Sequence, residues 1–167
     1  MYRNGHYGAA LLIYAPIGTL TLILGFGEPA VAGGIATVGL ATAPDLDMKI
    51  PRVKHRGVTH TVHFAAVVGI LCGAVATAGA ASSEAPTGWI VAAGAFGFLT
   101  GAGAIGSHIA ADALTPMGVE PLGDDGPHYS FDFVRADNTL ANYALLALGI
   151  AAVVAGVSLA GAVGAGV

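Results

Sequence analysis

An all-α membrane protein is the fold this chain predicts: a polytopic helical bundle of about five spanning or near-spanning helices, forming a single integral membrane domain over residues 1–167. Three observations predict it. Of 167 residues, 55% are hydrophobic and only 10% charged, with a mean hydropathy of +0.76. Apolar runs approaching the ~20 residues that cross a bilayer recur along the chain. The 26 glycines suit helices in lipid, where small residues let backbones approach closely.

Taken in order, the apolar segments run over Gly8–Phe26, Pro29–Ala43, Val62–Ala81, Gly88–Ala111 and Leu140–Val163. The second is short, which fits a tilted or re-entrant helix, or one that runs on into the motif at Pro44. A signal-peptide reading of the first segment would take Arg3 as its basic region and Ala30-Val31-Ala32 as its cleavage site. The apolar stretch is longer than such peptides carry, and cleavage would remove His6. The polar stretch 112–139 reads as a cytoplasmic lid or linker, and 140–163 as the C-terminal membrane helix. Gly69 and Gly73 form one GxxxG pattern and Gly97 and Gly101 another, at similar depth if the two spans pair antiparallel. Cys72 stands alone in an apolar stretch and reads as filler.

Charge fixes the expected orientation. With five spans, the N-terminus, the 44–61 loop and the 112–139 loop share one side, which carries Arg3, Lys49, Arg52, Lys54, Arg56 and Arg135, all six basic residues. By the positive-inside rule that side, with the N-terminus, is cytoplasmic in a multi-pass protein of the cell (inner or plasma) membrane. The bilayer is then the expected partner. The mild net charge of −4 excludes a nucleic-acid partner, and the richness in alanine, glycine and valine points to a GC-rich prokaryote.

All six histidines fall on or near the basic side, as do eight of the ten acids, Glu28 and Glu84 excepted. Ionisable groups at the ends of apolar segments are costly to place and mark a site by default. His108 and Asp112, four apart, share a helix face and can hold one divalent ion; a plain hydrogen bond is the simpler reading. Thr115-Pro116 ends that helix and fixes the pair at the membrane surface. Asp45 and Asp47 follow Pro44 at a spacing of two, which needs a turn to bring both to one point; helix capping competes. His55 and His60 bracket Gly57 and Thr59, and Thr59 could cap the third span. Half a turn off the Gly69 face, His60 reaches a site only from a non-helical entry. His6 adds a donor, or is an ordinary N-terminal histidine. His63 and His128 read as incidental. Topology alone explains the basic run, although Arg52 or Arg56 could hold an anionic group such as phosphate near a metal.

In order, His6 with Gly8, Pro44-Asp45-Leu46-Asp47, His55-Arg56-Gly57, Thr59-His60-Thr61, His108 to Pro116 and Gly118-Val119-Glu120-Pro121-Leu122 resemble the YdjM-like family of membrane-bound metal-dependent hydrolases. The resemblance covers roughly three quarters of the chain. It implies metal ligands at His6, Asp45, Asp47, His60, His108 and Asp112, with His55 a further ligand or a partner of one. Arg56, Thr59 and Thr115 would support them or touch substrate. Such a donor set suits Zn²⁺ or Mn²⁺, as one or two ions. The expected activity is hydrolysis at the cytoplasmic membrane face, metal-activated water attacking an ester or phosphoester with Asp45 or Asp47 as general base. A lipid or lipid-linked phosphoester fits a site at headgroup depth. The rival reading is a non-catalytic metal-binding membrane protein, either scaffold or transporter. The span centres carry no charge, which argues against a transporter.

Overall fold

The computed structural model describes residues 1–164, which form helices and connecting turns with no strand among them. Helix α1 spans Arg3–Ile23, α2 Gly27–Leu40, α3 Val62–Ser82, α4 Thr87–Ala113 and α5 Thr139–Gly164. Two short 3-10 turns, Pro44–Lys49 and Val58–His60, lie between α2 and α3. Four helices, α1, α3, α4 and α5, are long and apolar enough to cross a membrane.

The second apolar segment is a shorter element than the rest. At 1.5 Å per residue the 14-residue α2 extends about 21 Å, against a hydrocarbon core of about 30 Å. The chain leaves the helix at Ala41, and Pro44 opens the following 3-10 turn at its first position. Gly25, at a φ of +85°, makes the reversal between α1 and α2. The Tyr14 hydroxyl of α1 then donates to the Ala30 carbonyl of α2.

Helices α3 and α4 form an antiparallel hairpin whose contact is built on the two GxxxG patterns. A Cβ placed on Gly97 would lie 2.5 Å from the Cys72 carbonyl oxygen, and one on Gly101 would lie 2.8 Å from the Cys72 Sγ and 2.9 Å from the Val68 oxygen. From the other side, a Cβ on Gly69 would meet Ala102 at 2.9 Å and one on Gly73 the Gly94 oxygen at 2.9 Å. Backbone thus packs on backbone, the close approach that small residues allow in lipid. Cys72 fills the space left between the glycines.

The second helix pair, α1 with α5, rests on the same device. A Cβ on Gly149 would come within 2.5 Å of the Gly8 carbonyl oxygen. Asn142, buried in the first turn of α5, accepts from the Tyr2 backbone N–H at 3.0 Å and donates to the Ala136 and Asn138 carbonyls. The start of α5 therefore holds the start of α1, where His6 lies.

Large apolar side chains such as Ile70, Leu71, Val75, Leu148 and Val154 are exposed along α3 and α5, a surface suited to lipid. The buried apolar cluster is small and lies at the other end of the molecule's polarity: Ala65, Ile105, Ile109 and Ala113 pack with Val119 of the 114–138 connection. That connection is tied down. Val119 and Tyr129 form an antiparallel bridge, Phe131 donates to the Ala113 carbonyl, and Lys54 bonds Glu120 at 3.3 Å and Asp124 at 2.7 Å. The 44–61 and 114–138 connections are thus clasped together over the ends of α1, α2 and α4.

Candidate metal centre

His6 enters from the first two turns of α1, where Gly5 and Gly8 leave room for α5. His108 and Asp112 come from the last turns of α4, one turn apart on one face. Asp45 comes from the Pro44 turn. His60 comes from the Val58–His60 turn, outside the regular helix that begins at Val62. That non-helical entry is what its phase relative to Gly69 requires. Thr61, not Thr59, caps α3, accepting from the Phe64 N–H at 3.2 Å. Thr59 is left free to turn inward.

These five side chains converge on one point. The Nε2 atoms of His60 and His108 are 3.1 Å apart. Asp45 Oδ1 lies 3.7 Å from the first and 3.5 Å from the second. Asp112 Oδ2 lies 3.6 Å from each. The His6 ring stacks on His108, centroids 3.7 Å apart and planes 6° off parallel, with its Nε2 3.6 Å from Asp112 Oδ1 and 4.0 Å from Asp45 Oδ2. Ligand bonds of 2.0–2.2 Å to a tetrahedral ion place donors about 3.3–3.6 Å from one another, and the 3.1–3.7 Å separations among Asp45, His60, His108 and Asp112 bracket that range. His6, His108 and Asp112 form one triplet able to hold an ion, and Asp45, His55 and His60 another.

The hydrogen bonds around the rings assign their protons. His108 Nδ1 lies 2.7 Å from the Ala41 carbonyl oxygen, which can only accept, so Nδ1 carries the hydrogen. His60 Nδ1 faces Thr59 Oγ1 at 3.0 Å and Asp47 Oδ2 at 3.4 Å, and the Thr59 hydroxyl itself donates to Asp47 at 2.8 Å. Its hydrogen is therefore on Nδ1 as well. Two Nε2 lone pairs then face each other at 3.1 Å, an arrangement that requires a cation, proton or metal ion, between them. Backbone carbonyl and carboxylate partners on the far nitrogen are how ligating histidines are oriented. The donor set fits a divalent metal ion. The carboxylates of Asp45, Asp47 and Asp112 outnumber the two cations that meet them, the Arg56 guanidinium and the Met1 ammonium, both on Asp112, leaving an excess of negative charge that such an ion balances.

Asp47 is not brought to the common point. Its buried carboxylate takes hydrogen bonds from His55 Nδ1 at 2.9 Å, the Thr59 hydroxyl and the Arg56 backbone N–H at 3.3 Å, behind His60. In a 3-10 turn residues two apart point about 240° around the axis from one another, so Asp45 and Asp47 diverge. Burial pushes the Asp47 carboxyl up, but the hydrogen bonds from His55 and Thr59 outweigh it and hold the group below the usual carboxylate range. Asp45 is held low in the same way, burial being outweighed by the imidazoles of His108 and His60.

Of the other expected residues, His55 sits beside Asp47, about a third exposed with its side chain at 35%. Arg56 pairs with Asp112 Oδ1 at 2.8 Å and donates to the Gly118 carbonyl at 2.6 Å. The Thr115 hydroxyl donates to the Asp112 carbonyl at 2.8 Å and ends α4. Arg52, His63 and His128 lie exposed, away from the convergence. Sequence reasoning passed over Asn142 and the Ala41 carbonyl. A single asparagine in the first turn of an otherwise apolar span was the available signal for the former; a backbone oxygen leaves none.

The family described as YdjM inner membrane protein matches this chain over residues 1–165. No curated protein and no solved structure matches it.

Proposed function

We propose that this chain, which belongs to the YdjM inner membrane protein family, is a membrane-bound metal-dependent hydrolase of ester or phosphoester bonds at the cytoplasmic membrane face. The supporting observation is the meeting of three imidazoles and two carboxylates from four separate stretches of chain, with the His60 and His108 lone pairs aimed at one another. A divalent ion held there, Zn²⁺ or Mn²⁺, supplies Lewis acidity, polarising a carbonyl or phosphoryl oxygen and lowering the pKa of water.

The residues divide the remaining work. His60, His108 and Asp112 hold the ion, and His6, whose Nε2 hydrogen goes to the Met1 carbonyl at 3.0 Å, offers Nδ1; Ala41 and the Thr59–Asp47 pair keep two of the rings in the ligating tautomer. Arg56 fixes Asp112 from behind. Asp45 is the one converging group with solvent contact, its side chain 23% exposed against 1% or less for the other four. Ionised by its imidazole neighbours, it is placed to take a proton from an attacking water. Asp47, saturated by three donors, is not. The cytoplasmic orientation follows from the basic residues clustered at this end.

That burial also favours a second reading. A donor set closed to solvent except at Asp45 resembles a structural metal site, since catalytic sites keep a position open. Metal content by mass spectrometry, with hydrolysis of phosphoester and ester substrates, separates the two. The hydrolase binds metal and turns over, and His108→Ala loses both. A scaffold binds metal and turns over nothing. Full metal retention in His108→Ala removes both readings.

A further inference from the structure

On the side of Asp112 away from the imidazoles lies a cavity of about 430 Å³ lined by Tyr2, Arg56, Thr115, Met117, Arg135 and Asp137 among others. We propose that it is a phosphate-binding subsite, which holds the anionic group of a phosphoester while the bond to be cleaved lies at the metal centre. The proposal rests on the hydrolase reading and narrows it to phosphoesters.

Arg56 is the first support. Its backbone is in the left-handed region, at a φ of +60°, as is that of the exposed Arg52 at +72°. Four contacts hold the residue here: its own N–H on Asp47, one terminal nitrogen on Asp112, and the other on the Gly118 carbonyl and the Thr115 hydroxyl. The result turns the guanidinium inward until the side chain is 11% exposed. Asp112, Gly118 and Thr115 take its terminal nitrogens. The buried Nε is left with no partner among the described residues, and an unpaired charged donor is costly to bury. An anion in the adjoining cavity satisfies it.

Arg135 is the second support. It sits at the cavity wall, its side chain 79% exposed, bonded to the half-exposed Asp137 at 3.1 and 3.2 Å. Such a surface pair is weak and exchanges readily for a better acceptor. A planar guanidinium presents paired N–H donors that match phosphate oxygens. Other cations nearby are committed: Lys54 to Glu120 and Asp124, and the Met1 ammonium to Asp112. Two guanidinium groups, one buried and one at the rim, therefore line one cavity, and the buried one is bonded to Asp112 of the metal centre. The Thr115 hydroxyl donates to its own helix, so it does not compete for the anion.

The test is equilibrium binding of radiolabelled inorganic phosphate to the purified full chain in detergent, with bound metal measured on the same samples. Arg135→Gln, an exposed substitution, weakens phosphate binding about tenfold, the size of one lost charge-assisted contact, and leaves the metal content as in wild type. Arg56→Lys, which keeps the charge but not the fork, weakens it as well. Unchanged phosphate affinity in Arg135→Gln overturns the subsite and leaves the hydrolase reading standing. Phosphate binding that depends on Arg135, in protein that hydrolyses no phosphoester, supports the subsite and removes the hydrolase reading instead.

Discussion

His60 and His108, 48 residues apart in the chain, turn their Nε2 atoms toward each other across 3.1 Å while each presents its Nδ1 to an acceptor. The far-side partners decide this. The Ala41 carbonyl and the Thr59–Asp47 pair take the Nδ1 hydrogens, and what remains on each ring is a lone pair. The metal reading grows from that relationship more than from the number of histidines in the chain.

Removing one of the facing rings therefore removes the ion. His60→Ala is expected to lose at least nine tenths of the metal that copurifies with the wild type, measured by mass spectrometry, whereas the exposed His63→Ala keeps it. Equal metal in both variants would show that the pair holds nothing.

Asp47→Asn acts through His60. The ring loses its anionic partner but not its place, so metal affinity is expected to fall about 10- to 100-fold, as for other partners of ligating histidines. Chelator competition on the two proteins reads this directly. An unchanged affinity would mean that Thr59 alone sets the His60 tautomer.

The pH dependence of that substitution has a definite sign. The Asp47 carboxyl in the folded protein is held below its ordinary value, with burial opposing and the His55 and Thr59 hydrogen bonds prevailing. Its stabilisation is therefore fully present above the unfolded value of about 3.9 and fades as pH falls through the lower folded value. The gap in melting temperature between wild type and Asp47→Asn is expected to stay level between about pH 5 and pH 8 and to narrow only below about pH 4. A gap that closes near neutrality would assign the titration to another group.

Helix packing offers a test away from the polar groups. Gly101→Val places methyl groups against the Cys72 sulfur and Val68 oxygen and is expected to cost about 1–3 kcal/mol by overpacking, seen as a lower melting temperature in detergent. Gly106→Ala meets nothing within 4 Å and is expected to be neutral or stabilising, since alanine favours the helix.

Much of this was readable beforehand because hydropathy and charge report directly on what a bilayer excludes. The convergence of His6, Asp45, His60, His108 and Asp112 followed from spans that fold back, and the α3–α4 contact from two GxxxG patterns at matching depth. Other features left weaker traces. The contact of Gly8 with Gly149 joins helices at opposite ends of the chain, and glycines so abundant give no phase to pick out the pair. Asp45 and Asp47 look equivalent in sequence; only the pitch of the 3-10 turn sends one to the imidazoles and the other behind His60. Thr59 was the cap the sequence suggested, and the hydrogen bond from the Phe64 N–H to Thr61 assigns that role to Thr61 instead. The inward turn of Arg56 was invisible, because nothing in a run of four basic residues says that Arg56 turns inward while Arg52, also at a positive φ, stays exposed.

Every converging side chain lies before residue 113, so α5 contributes no donor at all. Yet Gly149 seats on Gly8 and Asn142 holds Tyr2, within a few residues of His6. The final helix is thus a splint for the first. A polypeptide ending after α4 would still own the whole set of coordinating groups but would leave the earliest of them on an unbraced stalk.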